Sequence, residues 1–194
     1  MEKFKYIFEG LHRAYGTFKE EDQDEKGKTK GKAYIIKAPV TEELWQAHLS
    51  GKESLGIIPI RDDSKCRWGC IDVDYYTLDH KQVVERLNEF KIPLVCCRSK
   101  SGGAHLFLFL KDFVEAKKLR NKLAELAGEL GYADCEVFPK QIEIRADRGD
   151  TGNFLNLPYF GGDDSFRYAY DDTGASCTLD NFYRLVDQKS VDPK

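Results

Sequence analysis

Residues 68–140 read WGCIDVDYYTLDHKQVVERLNEFKIPLVCCRSKSGGAHLFLFLKDFVEAKKLRNKLAELAGELGYADCEVFPK, and two hydrophobic periodicities alternate along them. A short apolar strand, Gly69 to Asp74, gives way to a helix over about Asp79 to Phe90. Ile92-Pro93 then leads into a second strand, Leu94 to Arg98, which the turn SKSGG joins to a third, His105 to Leu110. The next helix, about Val114 to Leu130, repeats Leu119, Leu123, Leu126 and Leu130 at helical spacing and is stopped by Gly131. A fourth strand, Asp134 to Phe138, ends at Pro139.

Strand, helix, strand, strand, helix, strand is the split βαβ order of ferredoxin-like and RNA-recognition-motif folds, so the expected class is α+β. In such a sheet the first strand lies between the third and the fourth. Period-two alternation then sorts the side chains. Ile71, Val73, Leu106, Leu108, Leu110, Cys135 and Val137 fall on one face, apolar throughout and suited to lie under the two helices. Asp72, Asp74, His105, Phe107, Phe109, Asp134, Glu136 and Phe138 fall on the other. Four carboxylates and a histidine thus converge on the face the helices leave open, and a second layer must wall that face into a cleft. The N-terminal third and the C-terminal tail are the segments available to build it.

The 194 residues fit one domain: an N-terminal α/β part (1–67), the module just read (68–140) and a C-terminal part (141–194) closing the cleft. With 41% hydrophobic residues the chain can bury a core. Its longest apolar stretch, Leu106 to Leu110, is far short of the roughly 20 residues that span a bilayer, and Glu2 and Glu9 interrupt the start, unlike a signal peptide. A soluble, cytoplasmic protein is expected, in a cell or a virus-infected host. The six cysteines show no paired CxxC spacing and no zinc-type histidine neighbours, so they are expected to be buried thiols, with no zinc. A formal charge of −3 gives no global basic footprint. Residues 19–32, KEEDQDEKGKTKGK, lack an apolar anchor and are expected to form a mobile loop, with its lysine-rich second half a candidate for phosphate contact. A helix is expected from Thr41 to Leu49, with Thr41 as N-cap and Glu42 and Glu43 in the first turn.

Asp72 and Asp74, two apart on a strand, aim their carboxylates the same way. With a third acid from a neighbouring strand they make an oxygen-rich site suited to Mg²⁺ or Mn²⁺, and two such ions can serve in phosphoryl chemistry. In Arg98-Ser99-Lys100-Ser101-Gly102-Gly103, leading to His105, the glycines allow a backbone to approach an anion. The serine, lysine and imidazole supply donors, as in a triphosphate cradle. Downstream, Lys140 and Arg145 follow the fourth strand, and Arg145 suits a planar fork to phosphate oxygens. Asn156 is a candidate for a nucleotide's sugar or base edge, or for capping a turn. Arg13, Tyr15 and hinges at Gly10 and Gly16 are candidates for contact with template or base.

These residues together resemble the archaeo-eukaryotic primase superfamily, close to the primase-polymerases of phages, plasmids and mobile elements and to the primase domain of TOTE conflict systems. GCIDVD (69–74) resembles its acidic metal motif and RSKSGGAH (98–105) its serine-glycine-histidine nucleotide motif. DCEVFPKQ (134–141), with Arg145 beyond, resembles the third motif, whose acid completes the metal site and whose basic residue grips the nucleotide. GIIP (56–59) and Asn153 to Tyr159 carry weaker likenesses, so the resemblance runs from about Leu55 to Phe160. It implies a recognition-motif-like module packed with a second small α/β unit. It also implies template-directed synthesis from ribo- or deoxyribonucleoside triphosphates on a DNA template and primer, with two Mg²⁺ or Mn²⁺ ions and a helicase fused or acting in trans. By the same spacing, Asp134 is the third metal acid, with Glu136 the alternative. The serine that some relatives carry two residues before the histidine is Gly103 here, while Ser101 lies four before.

Two other readings compete. An RNA-recognition sheet would display Phe107 and Phe109 to stack bases without catalysis, and a metal-dependent nuclease or sugar-nucleotide transferase would use the Asp pair alone.

Overall fold

The computed structural model describes residues 1–23, 29–75 and 77–193. In chain order these form α1 (Glu2–Ile7), β1 (Tyr15–Gln23), β2 (Thr29–Ile36), α2 (Glu42–Leu49), β3 (Gly56–Ile57), β4 (Lys65–Val73) and α3 (His80–Glu89). β5 (Leu94–Arg98), β6 (Ala104–Glu115), α4 (Ala116–Glu129), β7 (Glu136–Phe138), β8 (Leu155–Asn156) and α5 (Leu179–Lys189) follow. The strands make two four-stranded antiparallel sheets, ordered β2-β1-β3-β8 and β5-β6-β4-β7. The second is the split βαβ module, and its first strand, β4, lies between the third and the fourth as the topology requires. No helix among the described residues is long and apolar enough to cross a membrane.

Both faces of this sheet are covered. Ile71, Val73, Leu106, Leu108 and Leu110 pack beneath Val83, Val84 and Leu87 of α3 and Leu119, Leu123 and Leu126 of α4. The opposite face carries an aromatic core: Trp68, Phe107 and Phe109 lie against Phe8, and Phe109 also meets Phe182 of α5. Phe8 follows α1, so the wall over this face comes from the two ends of the chain. Phe107 is fully buried and Phe109 is 3% exposed, so neither ring is available to stack a base, and the open recognition sheet is excluded.

Several boundaries differ from the sequence reading. β4 begins at Lys65, and its register with β6 shifts between Cys66 and Trp68. Across this irregularity Arg67 and Trp68 both turn toward the N-terminal layer, Arg67 over the Tyr6 ring at 3.7 Å and Trp68 against Phe8 at 5.5 Å. Val114 and Glu115 extend β6 by pairing with Cys66 and Lys65, so α4 starts later than its leucine periodicity suggests. β7 is shorter than expected because Gly131, at φ +79°, opens a turn in which the Cys135 amide bonds the Tyr132 carbonyl. Asp134 therefore lies in that turn and not on a strand.

The loop expected over 19–32 is in part a hairpin, with pairing from Tyr15↔Ile36 through Lys19↔Lys32 and Glu20↔Gly31 to Gln23↔Thr29. Backbone ladder bonds need no apolar side chain, and this is why composition missed it. Its tip, 24–28, lies outside the described residues, and with it part of the proposed lysine contact. Nor are Gly10 and Gly16 hinges. A Cβ on Gly16 would stand 2.0 Å from the Phe154 ring, and one on Gly56 of the neighbouring strand 2.2 Å from it, so the bare backbones form a slot for that ring. A Cβ on Gly10 would meet the Ile58 carbonyl oxygen at 2.1 Å. Arg13 ties Asp62 to the Asp150 carbonyl, and Tyr15 packs on the aromatic core. All six thiols are free and five are buried; burial raises every thiol pKa, that of Cys96 to about 12, so they are neutral packing groups.

His48 on α2 ties the N-terminal third to the segment after β8. Its Nδ1 accepts from the Leu55 amide at 3.0 Å, so Nε2 carries the proton and donates to the Pro158 carbonyl at 2.8 Å. The ring is fully buried and stacks on Phe4. Burial pushes its pKa down to about 4, with the Pro158 carbonyl opposing the shift and the Arg167 charge adding to it. The unfolded chain, with an ordinary histidine pKa near 6.5, then binds more protons than the folded one as pH falls below that value. Stability should drop between about pH 6.5 and 4, by up to about 3 kcal/mol from this group. Denaturant titrations across that range should show a shallower pH slope for His48→Gln than for the wild type; equal slopes would place the acid sensitivity elsewhere.

Candidate active site

The register of β4 decides which side chains meet. Asp72 stands opposite His105 of β6 on one side and Glu136 of β7 on the other. Cross-strand partners in such pairs have Cβ atoms about 5 Å apart. The Asp72 side chain is 16% exposed, and His105 Nε2 lies 3.4 Å from its Oδ1. That contact is too poorly aligned to be a hydrogen bond, which leaves Oδ1 buried without a hydrogen-bond partner. His105 is held edge-on against Phe107. Asp74 follows the end of β4 and is open to solvent. Partial burial and the Asp72 charge raise its carboxyl above the ordinary range, against the pull of His105 and a Ser101 hydroxyl that donates to its Oδ1 at 3.4 Å.

The turn that follows β5 is shaped from within. The Ser99 amide donates to the Gly103 carbonyl and the Gly102 amide to the Ser99 carbonyl. Gly102 has φ +95°, and a Cβ on Gly103 would lie 2.2 Å from the Val73 carbonyl oxygen. Only glycine lets this turn lie flat on the strand end that carries the Asp pair. From outside, His80 Nε2 donates to the Gly103 carbonyl at 2.9 Å, its ring stacked on Tyr170 at 4.9 Å. His80 begins α3, after an Asp79 cap that accepts from the Gln82 amide. Neither His80 nor Tyr170 stands out in the sequence, because a lone histidine at a helix start repeats no pattern.

The other sequence candidates divide. Ser101 reaches the acids, whereas Arg98 and Lys100 turn toward aromatic rings, Phe166 at 5.6 Å and Phe18 at 3.4 Å. Glu136 pairs with Lys140 at 2.7 Å. It also contributes to the field at Asp74, while Asp134, exposed in its turn, acts on Tyr75 instead. Arg145 precedes a 3₁₀ turn (Ala146–Arg148), half exposed and 3.7 Å from Asp147, and is not drawn to the Asp pair. Asn156 belongs to the other sheet, opposite Gly56, with its Oδ1 buried and unpartnered. Just beyond the third motif, Gln141 and Asn153 exchange two hydrogen bonds, at 2.6 and 2.9 Å, which fasten that motif to the segment entering β8.

Among the described residues, no three Asp, Glu, His or Cys side chains close on one point as a finished metal cage. The donor set still fits a divalent cation. Asp72 offers a buried, unpartnered carboxylate oxygen, Asp74 an accessible carboxylate, and Glu136 a third whose present partner, Lys140, is a replaceable cation. Comparison with curated proteins returns no match. A family model described as the archaeo-eukaryotic primase domain of TOTE conflict systems matches residues 7–176, a span that takes in both sheets and Asp72, Asp74, Asp134 and Glu136. The chain therefore belongs to the archaeo-eukaryotic primase domain family of TOTE conflict systems.

Proposed function

We propose that the chain is a DNA primase-polymerase, adding nucleoside triphosphates to a primer on a DNA template, or starting one, with its chemistry centred on Asp72. The family is one of primase-type nucleotidyltransferases, which act on nucleotides and nucleic acid and generally use divalent metals. The observation that carries the reading is the buried, unpartnered Asp72 oxygen at the middle of the sheet, between His105 and Glu136. A carboxylate so placed is costly unless a cation meets it. Asp72, Asp74 and Glu136 would hold Mg²⁺ or Mn²⁺. Two such ions supply activation of the attacking hydroxyl and charge neutralisation at the departing pyrophosphate.

The remaining residues bind and orient. His105, 3.4 Å from Asp72, would donate to a triphosphate oxygen. Ser101 holds Asp74, and the glycine turn leaves room for phosphates beside both acids. Glu136 is preferred over Asp134 as the third acid because it faces Asp72 in register, whereas Asp134 sits in a turn. Lys140 is then the counter-charge that Glu136 releases on engaging metal, free to meet a phosphate.

Primer extension with saturating Mg²⁺ or Mn²⁺ tests this directly. Asp72→Asn and Glu136→Gln should each lower the rate by more than about 100-fold, beyond the loss expected for a merely outer-sphere partner, while Asp134→Asn keeps at least about half. The reverse ranking of the last two would return the role to Asp134. An active Asp72→Asn would remove the metal assignment altogether.

His80 should act as a positioning residue. His80→Phe keeps the stack on Tyr170 and loses the bond to Gly103, so KM for the nucleoside triphosphate should rise about 2- to 10-fold, the worth of one hydrogen bond, with kcat little changed. Unchanged steady-state constants would make the His80 contact purely structural.

A further inference from the structure

Beside the glycine turn, Lys52, Ser54, Lys100, Phe160, Phe166 and Arg167 line a cavity of about 370 Å³. Its size is at the lower end of the range for small-ligand clefts. Arg167 is the unusual member. It is 5% exposed, its Nη1 donates to Ser54 Oγ at 3.0 Å, and its Nε is buried without a partner. Its other neighbours are the rings of Phe160 and Phe166, at 5.1 and 5.9 Å, and no carboxylate pairs with it among the described residues. A buried guanidinium without a counter-charge is unfavourable, and burial accordingly pulls its pKa down. An anion in the cavity would relieve that cost.

The ring chemistry narrows the anion. Phe166 is 51% exposed and carries guanidinium groups at 5.6 Å (Arg98) and 5.9 Å (Arg167), a cation-flanked aromatic platform suited to a nucleobase. Charge narrows it further. Among the described residues that line the cavity, Lys52 and Arg167 stand with one acid, Glu53. One guanidinium with a lysine suits a singly charged phosphodiester, whereas Glu53 would repel the polyanionic tail of a free triphosphate. Lys100 neighbours Ser101, whose hydroxyl reaches Asp74, so the cavity and the acids share one turn.

We propose that this cavity takes one nucleotide unit of a single nucleic-acid strand, its phosphate against Arg167 and Lys52 and its base on the exposed face of Phe166. The proposal deepens the template-directed reading and rests on it for the identity of the strand. Its test is run without metal or substrate, so failure of the catalytic assignment would be seen separately.

Fluorescence anisotropy of a labelled single-stranded oligonucleotide, titrated against salt in the absence of divalent ions, reads the site. Phe166→Ala should weaken binding about 10-fold with little sequence dependence. Lys52→Ala and Arg167→Gln should each flatten the slope of log affinity against log salt by about 0.7, the value for one phosphate of a single strand. Lys52 and Phe166 are exposed, so their variants carry the test if Arg167→Gln fails to fold. Binding of free deoxynucleoside triphosphate, measured in parallel, should not change. Wild-type affinity and slope in the Lys52 and Phe166 variants would overturn the proposal. Losses confined to the free nucleotide would overturn it too, by assigning the cavity to a mononucleotide.

Discussion

The constraint on which the rest of the molecule depends is the register of β4 between β6 and β7. Side chains on a strand alternate with period two, so a slip of one residue would drive Asp72 under the helices and push Ile71 into the cleft. Two apolar layers forbid it, because Ile71 and Val73 are buried beneath α3 and α4 while Trp68 and Cys70 are buried under the aromatic wall. The acids are therefore placed by hydrophobic packing further down the same strand, and no polar contact is needed to choose their position. The shift at Cys66 to Trp68 belongs to this scheme, since it re-phases the outer part of β4 without disturbing the part that carries Asp72.

The cleft concentrates like charge at the place where apolar packing ends. Asp72, Asp74 and Glu136 repel one another, and the raised Asp74 carboxyl records part of that repulsion. Local cations relieve it only partly: Lys140 pairs with Glu136, and His105 lies near Asp72 without a well-formed bond. Elsewhere the sign reverses, at Arg167, with which no carboxylate pairs among the described residues. Acidic and basic groups thus gather near one glycine turn, and a chain of net charge −3 can supply this locally without a basic surface overall.

Much of this was legible in the sequence because it follows from periodicity. The strand and helix order of residues 68–140, the two faces of the sheet, and the approach of the Asp pair to the SGG turn all rest on spacings of two or of three and four. What escaped has physical causes. The β1–β2 hairpin is built from charged residues whose pairing is a backbone property, invisible to a hydrophobic pattern. Asp134 has the same parity as Glu136, so alternation alone could not reveal that the turn after Gly131 takes it out of the strand. His80, Gln141 and Arg167 act through contacts to other segments of the chain, and nothing local in the sequence marks such contacts.

The slot that Gly16 and Gly56 form around Phe154 bears on the order in which the molecule assembles. The β5-β6-β4-β7 sheet draws on one continuous stretch of sequence, and its contacts are comparatively local. The other sheet is completed only when β8 pairs with β3, Gly56 with Asn156, and Phe154 enters between two bare backbones. Long closures of this kind are slow relative to local ones. On the ribosome, β3 can meet the β1 edge early, but the outer edge of β3 would wait uncovered until the Phe154 segment and β8 emerged.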